Sequence, residues 1–125
     1  MAFTHIMVGT NDLEKSTAFY DAALAPLGLK NIGGHDRATL YGDKSWEFIV
    51  TKPANGEAAT HANGGTIGFA APSRAAVDAF HEAALANGGT CEGPPGPRAF
   101  DPNAYGAYLR DPVGNKICAY CFLPE

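Results

Sequence analysis

The sequence predicts an α+β fold: two tandem βαβββ modules forming a curved mixed sheet around a trough, with the helices on the outer face. Three observations carry this expectation: an internal repeat, a capped amphipathic helix in each copy, and strand-like runs of period two in matching positions. The repeat is explicit. Ala18-Phe19-Tyr20-Asp21-Ala22-Ala23-Leu24-Ala25 returns as Ala79-Phe80-His81-Glu82-Ala83-Ala84-Leu85-Ala86, at an offset of 61 and with six of eight positions identical. The same offset carries Asp12 onto Ser73, both good helix N-caps, and Ile6 and Val8 onto the apolar Ile67 and Phe69.

Each copy opens with a strand, residues 3–9 or 66–70, that leads through a capping residue into a helix. The first helix is expected over 13–25, stopped by Pro26 and Gly28, and the second over 74–87, stopped by Gly88-Gly89. Phe19, Ala22, Ala23 and Leu27 in one helix, with Val77, Phe80 and Ala84 in the other, give the apolar stripe of a helix lying on a sheet. Three short strand-like runs follow the first helix, at 29–32, 37–41 and 46–51, and three follow the second, at 89–91, 104–110 and 116–122. The modules cover about 1–52 and 65–125 of a single domain spanning 1–125, with a Gly-, Ala- and Asn-rich linker at about 53–64. Residues 93–102 hold four of the prolines and read as an inserted loop, too proline-rich for a helix or a central strand.

Composition removes several function classes. The chain has 125 residues, 46% of them hydrophobic, which suffices for a genuine core. Charged residues make up 18% and the net charge is −4, leaving no basic stripe to neutralise a phosphate backbone, so nucleic acid is not the expected partner. No apolar run approaches membrane-spanning length and the start lacks a signal-peptide layout, so neither membrane insertion nor export is expected, and a cytoplasmic location is. The three cysteines, Cys91, Cys118 and Cys121, are an odd number. Cys118 and Cys121, three apart in a strand, point to opposite faces, which argues for ordinary thiols over zinc or redox chemistry.

A four-stranded sheet with one helix buries only one face, so two such sheets curl around a shared hollow. Strand alternation places Phe3, His5 and Met7 inward from the first strand and Glu47, Ile49 and Thr51 inward from the fourth. In the second copy it places Thr66 and Gly68 inward from the first strand and Cys118, Tyr120 and Phe122 inward from the last. His5 and Glu47 then neighbour each other across paired strands.

At this point the chain resembles the glyoxalase/bleomycin-resistance/dioxygenase superfamily, also termed the vicinal oxygen chelate superfamily, over nearly its whole length. The opening from Thr4-His5-Ile6-Met7-Val8-Gly9 through Asp12-Leu13 to Ala18-Phe19-Tyr20 looks like its first βα unit, and Tyr105-Gly106-Ala107-Tyr108-Leu109-Arg110-Asp111-Pro112-Val113-Gly114-Asn115-Lys116-Ile117 looks like its closing hairpin. In metal-dependent members each copy supplies two ligands, and the corresponding positions here are His5, Glu47, Thr66 and Cys118. The resemblance thus implies a divalent metal (Zn, Ni or Fe) on His5 and Glu47, with a carboxylate such as Glu47, or a water, as catalytic base, but Thr66 and Cys118 depart from the His and Glu usual there. Aligning Lys44 with Lys116 would put Trp46, not Glu47, at the fourth-strand position.

The expected activity is therefore small-molecule handling in the trough with a degenerate or absent metal site, His5, Arg37, Tyr41, Thr66, Tyr105, Tyr108, Cys118 and Tyr120 lining it and Arg98 nearby. Three alternatives stay open: a divalent-metal lyase or isomerase of the glyoxalase type, on a glutathione adduct or another oxygenated molecule; an extradiol-type dioxygenase; and a chain whose role is to partner another. A homodimer is expected from the fold and its exposed sheet edges.

Overall fold

The computed structural model describes residues 2–125. Module one comprises β1 (Ile6–Gly9), α1 (Leu13–Leu24), β2 (Lys30–His35), β3 (Ala38–Gly42) and β4 (Trp46–Thr51). Module two comprises β5 (Ile67–Ala70), α2 (Arg74–Ala86), β6 (Thr90–Pro97), β7 (Tyr105–Arg110) and β8 (Lys116–Cys121). The two sheets have the same topology, β1-β4-β3-β2 and β5-β8-β7-β6, with one parallel pair (β1–β4, β5–β8) and two antiparallel pairs in each. The duplication read from residues 18–25 and 79–86 is thus a duplication of fold.

Both helices begin where their capping side chains dictate. Asp12 accepts from the Lys15 amide at 3.1 Å and Ser73 from the Ala76 amide at 3.0 Å, each satisfying a donor the helix leaves free. α1 ends in a tight 3-10 turn, Ala25–Leu27, that Pro26 enforces; Gly28, at φ 84°, then reverses the chain in a conformation that suits a residue without Cβ. The helices pack on each other and on both sheets, and one continuous core runs through the two modules from Phe19, Tyr20, Phe48 and Val50 to Val77, Phe80, Leu109 and Ile117.

The modules are also joined by polar bonds. Tyr20 on α1 reaches Asp111 in the β7–β8 turn, and Asn115 Nδ2 in that turn donates to the Gly9 carbonyl at 3.1 Å. Asn11 clamps the linker, donating to the Ala59 carbonyl and accepting from the Ala59 amide.

The proline-rich stretch departs from expectation. Residues 90–97 form β6, the outer strand of its sheet, with register shifts between Cys91 and Gly93 and between Gly93 and Gly96. An edge strand has one side without ladder bonds, and bulges free further amides, so Pro94, Pro95 and Pro97 are accommodated where a central strand would reject them. Only 98–104 remain as a loop, held by Arg98 Nη2 on the Pro94 carbonyl and the Arg98 amide on the Ala104 carbonyl. No helix among the described residues is long and apolar enough to cross a membrane.

Candidate functional site

The parallel register of module one pairs Ile6 with Phe48 and Val8 with Val50, which sets Glu47 alongside His5. On its other side β4 is bulged: Tyr41 pairs with Phe48 but Gly42 with Trp46, so Glu47 is the extra residue. The bulge accounts for the two alignments offered by Lys44 and Lys116, because Trp46 keeps the ladder pair with Gly42 while Glu47 is the inserted residue. The Trp46 ring lies 4.4 Å from the His5 ring, and Glu47 shares a cleft with His5.

That cleft, of about 610 Å³, lies at the seam between the start of β1 and the end of β5. Phe3, Leu27, Leu29, Phe48 and Phe69 give it apolar walls, and its ionisable lining among the described residues is His5, Asp43 and Glu47. Leu27 and Leu29 both line it, on either side of the turn that Gly28 makes; the sequence places Leu27 on the helix stripe and Leu29 at the start of a strand, with no sign that the two share a cleft. Thr4 Oγ1 and His5 Nδ1 share a hydrogen bond of 2.9 Å, which fixes the imidazole at the rim.

The remaining expected site residues are dispersed. Thr66 lines a second cleft, of about 410 Å³, farther along the seam with Met7 and Lys116. Cys118 pairs with Gly68, one residue beyond the Ile67–Ile117 pair, and lines neither cleft. Its side chain is 5% exposed and burial pushes the thiol up to about 11, favouring the neutral form over a metal-binding thiolate. Tyr108 and Tyr120 do share one face of module two, their hydroxyls 2.6 Å apart, with Phe122 stacked on Tyr120 at 5.3 Å and Arg98 over Tyr108 at 5.7 Å. Burial and the Tyr108 hydrogen bond push the Tyr120 hydroxyl up to about 12.

Three expected trough residues are corrected. Tyr41 is fully buried on the helix side, donating to the Thr17 carbonyl and to Asp21 Oδ1 at 2.9 Å, and burial raises its ionisation far above the usual range. Tyr105 likewise turns toward α2 and donates to Asp78 Oδ1 at 2.6 Å. Both sit one residue out of phase with the trough face, and their hydroxyls find partners on the helices. Arg37 donates to the Lys52 and Pro53 carbonyls and holds the linker, away from the seam cleft.

The donor set does not fit a resident divalent metal. Among the described residues no three His, Cys, Asp or Glu side chains converge on one point, and the four corresponding ligand positions divide into His5 with Glu47, Thr66 elsewhere on the seam, and Cys118 apart. Asp43 lines the cleft with His5 and Glu47 but does not converge with them on one point, so the site falls short of the three or more donors that hold a catalytic ion.

The sequence profile of the Glyoxalase/Bleomycin resistance protein/Dioxygenase superfamily matches residues 2–119. The chain belongs to this superfamily. Its fold is similar to a glyoxalase/bleomycin resistance protein from Albidiferax ferrireducens T118, at 51% identity and a TM-score of 0.88, covering 99% of this chain and 100% of that one. A glyoxalase-related enzyme from Fulvimarina pelagi (19% identity, TM-score 0.75, 97% and 88% covered) and a lactoylglutathione lyase from Agrobacterium tumefaciens (22% identity, TM-score 0.63, 96% and 92% covered) share the glyoxalase-superfamily fold. No curated protein matches the sequence.

Proposed function

We propose that this superfamily member binds a small, mostly apolar molecule in the seam cleft without a metal, His5 and Glu47 supplying its polar contacts. The observation that carries this reading is the cleft itself: large apolar walls with a few polar groups are what a small-molecule site requires, and this one counts His5 and Glu47 in its lining. Because Asp43 and Glu47 line it, and no Lys or Arg does among the described residues, a neutral or cationic ligand is favoured over an anionic one. In this reading Glu47 accepts a hydrogen bond from the ligand, and the imidazole of His5, backed by Trp46, packs against it.

Homodimerisation belongs to the same proposal. Met7, Trp46, Phe100 and Phe122 are exposed, and a second copy covering them would remove apolar surface from water.

The test is a thermal-shift series with neutral, cationic and anionic aromatic fragments in the presence of a chelator, run on the wild type and on Ala70→Trp, which fills the cleft from the exposed end of β5. Stabilisation by neutral or cationic fragments that the variant loses supports the reading. Stoichiometric metal on the purified protein, lost in His5→Ala, would overturn it in favour of a metal-dependent lyase.

A further inference from the structure

On the outer side of module two, neither lining the seam clefts nor touching the tyrosine pair, His81 on α2 and Cys91 on β6 stand in direct contact. Nε2 of His81 lies 3.1 Å from Sγ of Cys91. The two differ in access: His81 is only 9% exposed, whereas Cys91 is the exposed one of the three cysteines, on the outer strand of its sheet. Cys118 and Cys121 are buried, and Cys121 already donates to Glu125 Oε2 at 3.3 Å. Burial lowers the His81 ionisation below the ordinary imidazole value, against the pull of Asp78 one turn earlier on α2, so the ring stands neutral and able to accept a proton. A nucleophile open to solvent, with a base held within hydrogen-bond reach behind it, is the arrangement that activates a thiol.

We propose that Cys91 and His81 form a nucleophilic pair that captures soft carbon electrophiles, specifically α,β-unsaturated carbonyl compounds, as a covalent thioether. In the tautomer protonated at Nδ1, the Cys91 thiol donates to His81 Nε2. Sγ attacks the β carbon of the acceptor; the sulfur–carbon bond forms as the carbon–carbon π bond opens toward the carbonyl. The thiol proton passes to Nε2 and from the imidazolium to the α carbon. All atoms of both partners are retained, and nothing is oxidised or reduced.

The experiment is limited labelling of the full chain with N-ethylmaleimide at neutral pH, followed by digestion and mass spectrometry. The expected adduct is on Cys91, forming about tenfold or more faster than on a short peptide carrying residues 89–93, and falling to the peptide rate in His81→Gln. Cys91→Ser should give no adduct in the folded chain. A wild-type rate equal to that of the peptide overturns the proposal, as does unchanged labelling in a folded His81→Gln. Protection of Cys118 and Cys121 in the same digest reports whether the variant is folded; where they become labelled, the ratio of wild type to peptide decides alone.

Discussion

The hydroxyl of Tyr20, on the helix of the first module, donates to Oδ2 of Asp111, in the last turn of the second, at 2.6 Å. Both residues are buried, and Asp111 Oδ1 meanwhile accepts from the amides of Val113, Gly114 and Asn115. One carboxylate thus shapes the turn and joins the halves. Tyr20→Phe leaves Oδ2 with Asn115 Nδ2 as its remaining side-chain donor. The expected loss is about 1–3 kcal/mol, read as a lower urea midpoint with an unchanged slope. An unchanged midpoint would show the bond to be energetically idle.

Gly106 offers a second test of packing. A Cβ there would come within 2.5 Å of the Tyr120 ring, so Gly106→Ala forces the ring away and breaks its contact with Tyr108. Overpacking of this kind costs about 1–3 kcal/mol. Thermal unfolding that matches the wild type would mean that Tyr120 is free to move.

Cys118 predicts a pH dependence. Burial raises its thiol from an ordinary value near 9 to about 11, so the unfolded chain releases this proton at lower pH than the folded chain does. The stability contribution is complete below pH 9 and is lost as pH rises through that interval, with a slope of at most about 1.4 kcal/mol per pH unit. Unfolding free energies measured from pH 8 to 11 should fall less steeply in Cys118→Ala. Equal slopes would contradict the assignment. The buried tyrosines add a change of the same sign at higher pH, which the comparison cancels.

Metal removal gives a fourth expectation. With only His5 and Glu47 of the four ligand positions together, zinc or nickel titrated into the chelator-stripped chain should bind no more tightly than to His5→Ala. Isothermal calorimetry showing a one-to-one site that His5→Ala abolishes would contradict this.

Much of the fold was legible in the sequence because its signals are local. The offset between Phe19 and Phe80 exposed the duplication, Asp12 and Ser73 marked the helix starts, and Pro26-Leu27-Gly28 marked the end of α1. Strand alternation placed Cys118 and Cys121 on opposite faces of β8, as found, Cys121 joining the core and Cys118 the other side. The proline run could not be read as a strand because what makes prolines tolerable, the outer position of β6, is a property of the sheet and not of the segment.

The site was less legible, for the same reason. His5 and Glu47 line one cleft, but their relation to Trp46 depends on a bulge that no alternation pattern encodes. Tyr41 and Tyr105 resembled pocket residues by type, yet Asp21 and Asp78 claim their hydroxyls, and those aspartates lie 20 and 27 residues away in sequence. His81 stands where Tyr20 stands in the first copy, and nothing in the sequence linked it to Cys91, ten residues away on another element.

The most direct test of the central claim is amide chemical-shift mapping of the isotopically labelled chain, titrated with a small cationic aromatic amine in the presence of a chelator. Saturable shifts concentrated at residues 3–6, 27–29, 47–48 and 67–70 are predicted, unchanged in pattern when zinc replaces the chelator. Shifts that appear only with zinc, or that centre on Tyr108 and Tyr120 and leave the seam unperturbed, would contradict a metal-independent seam site.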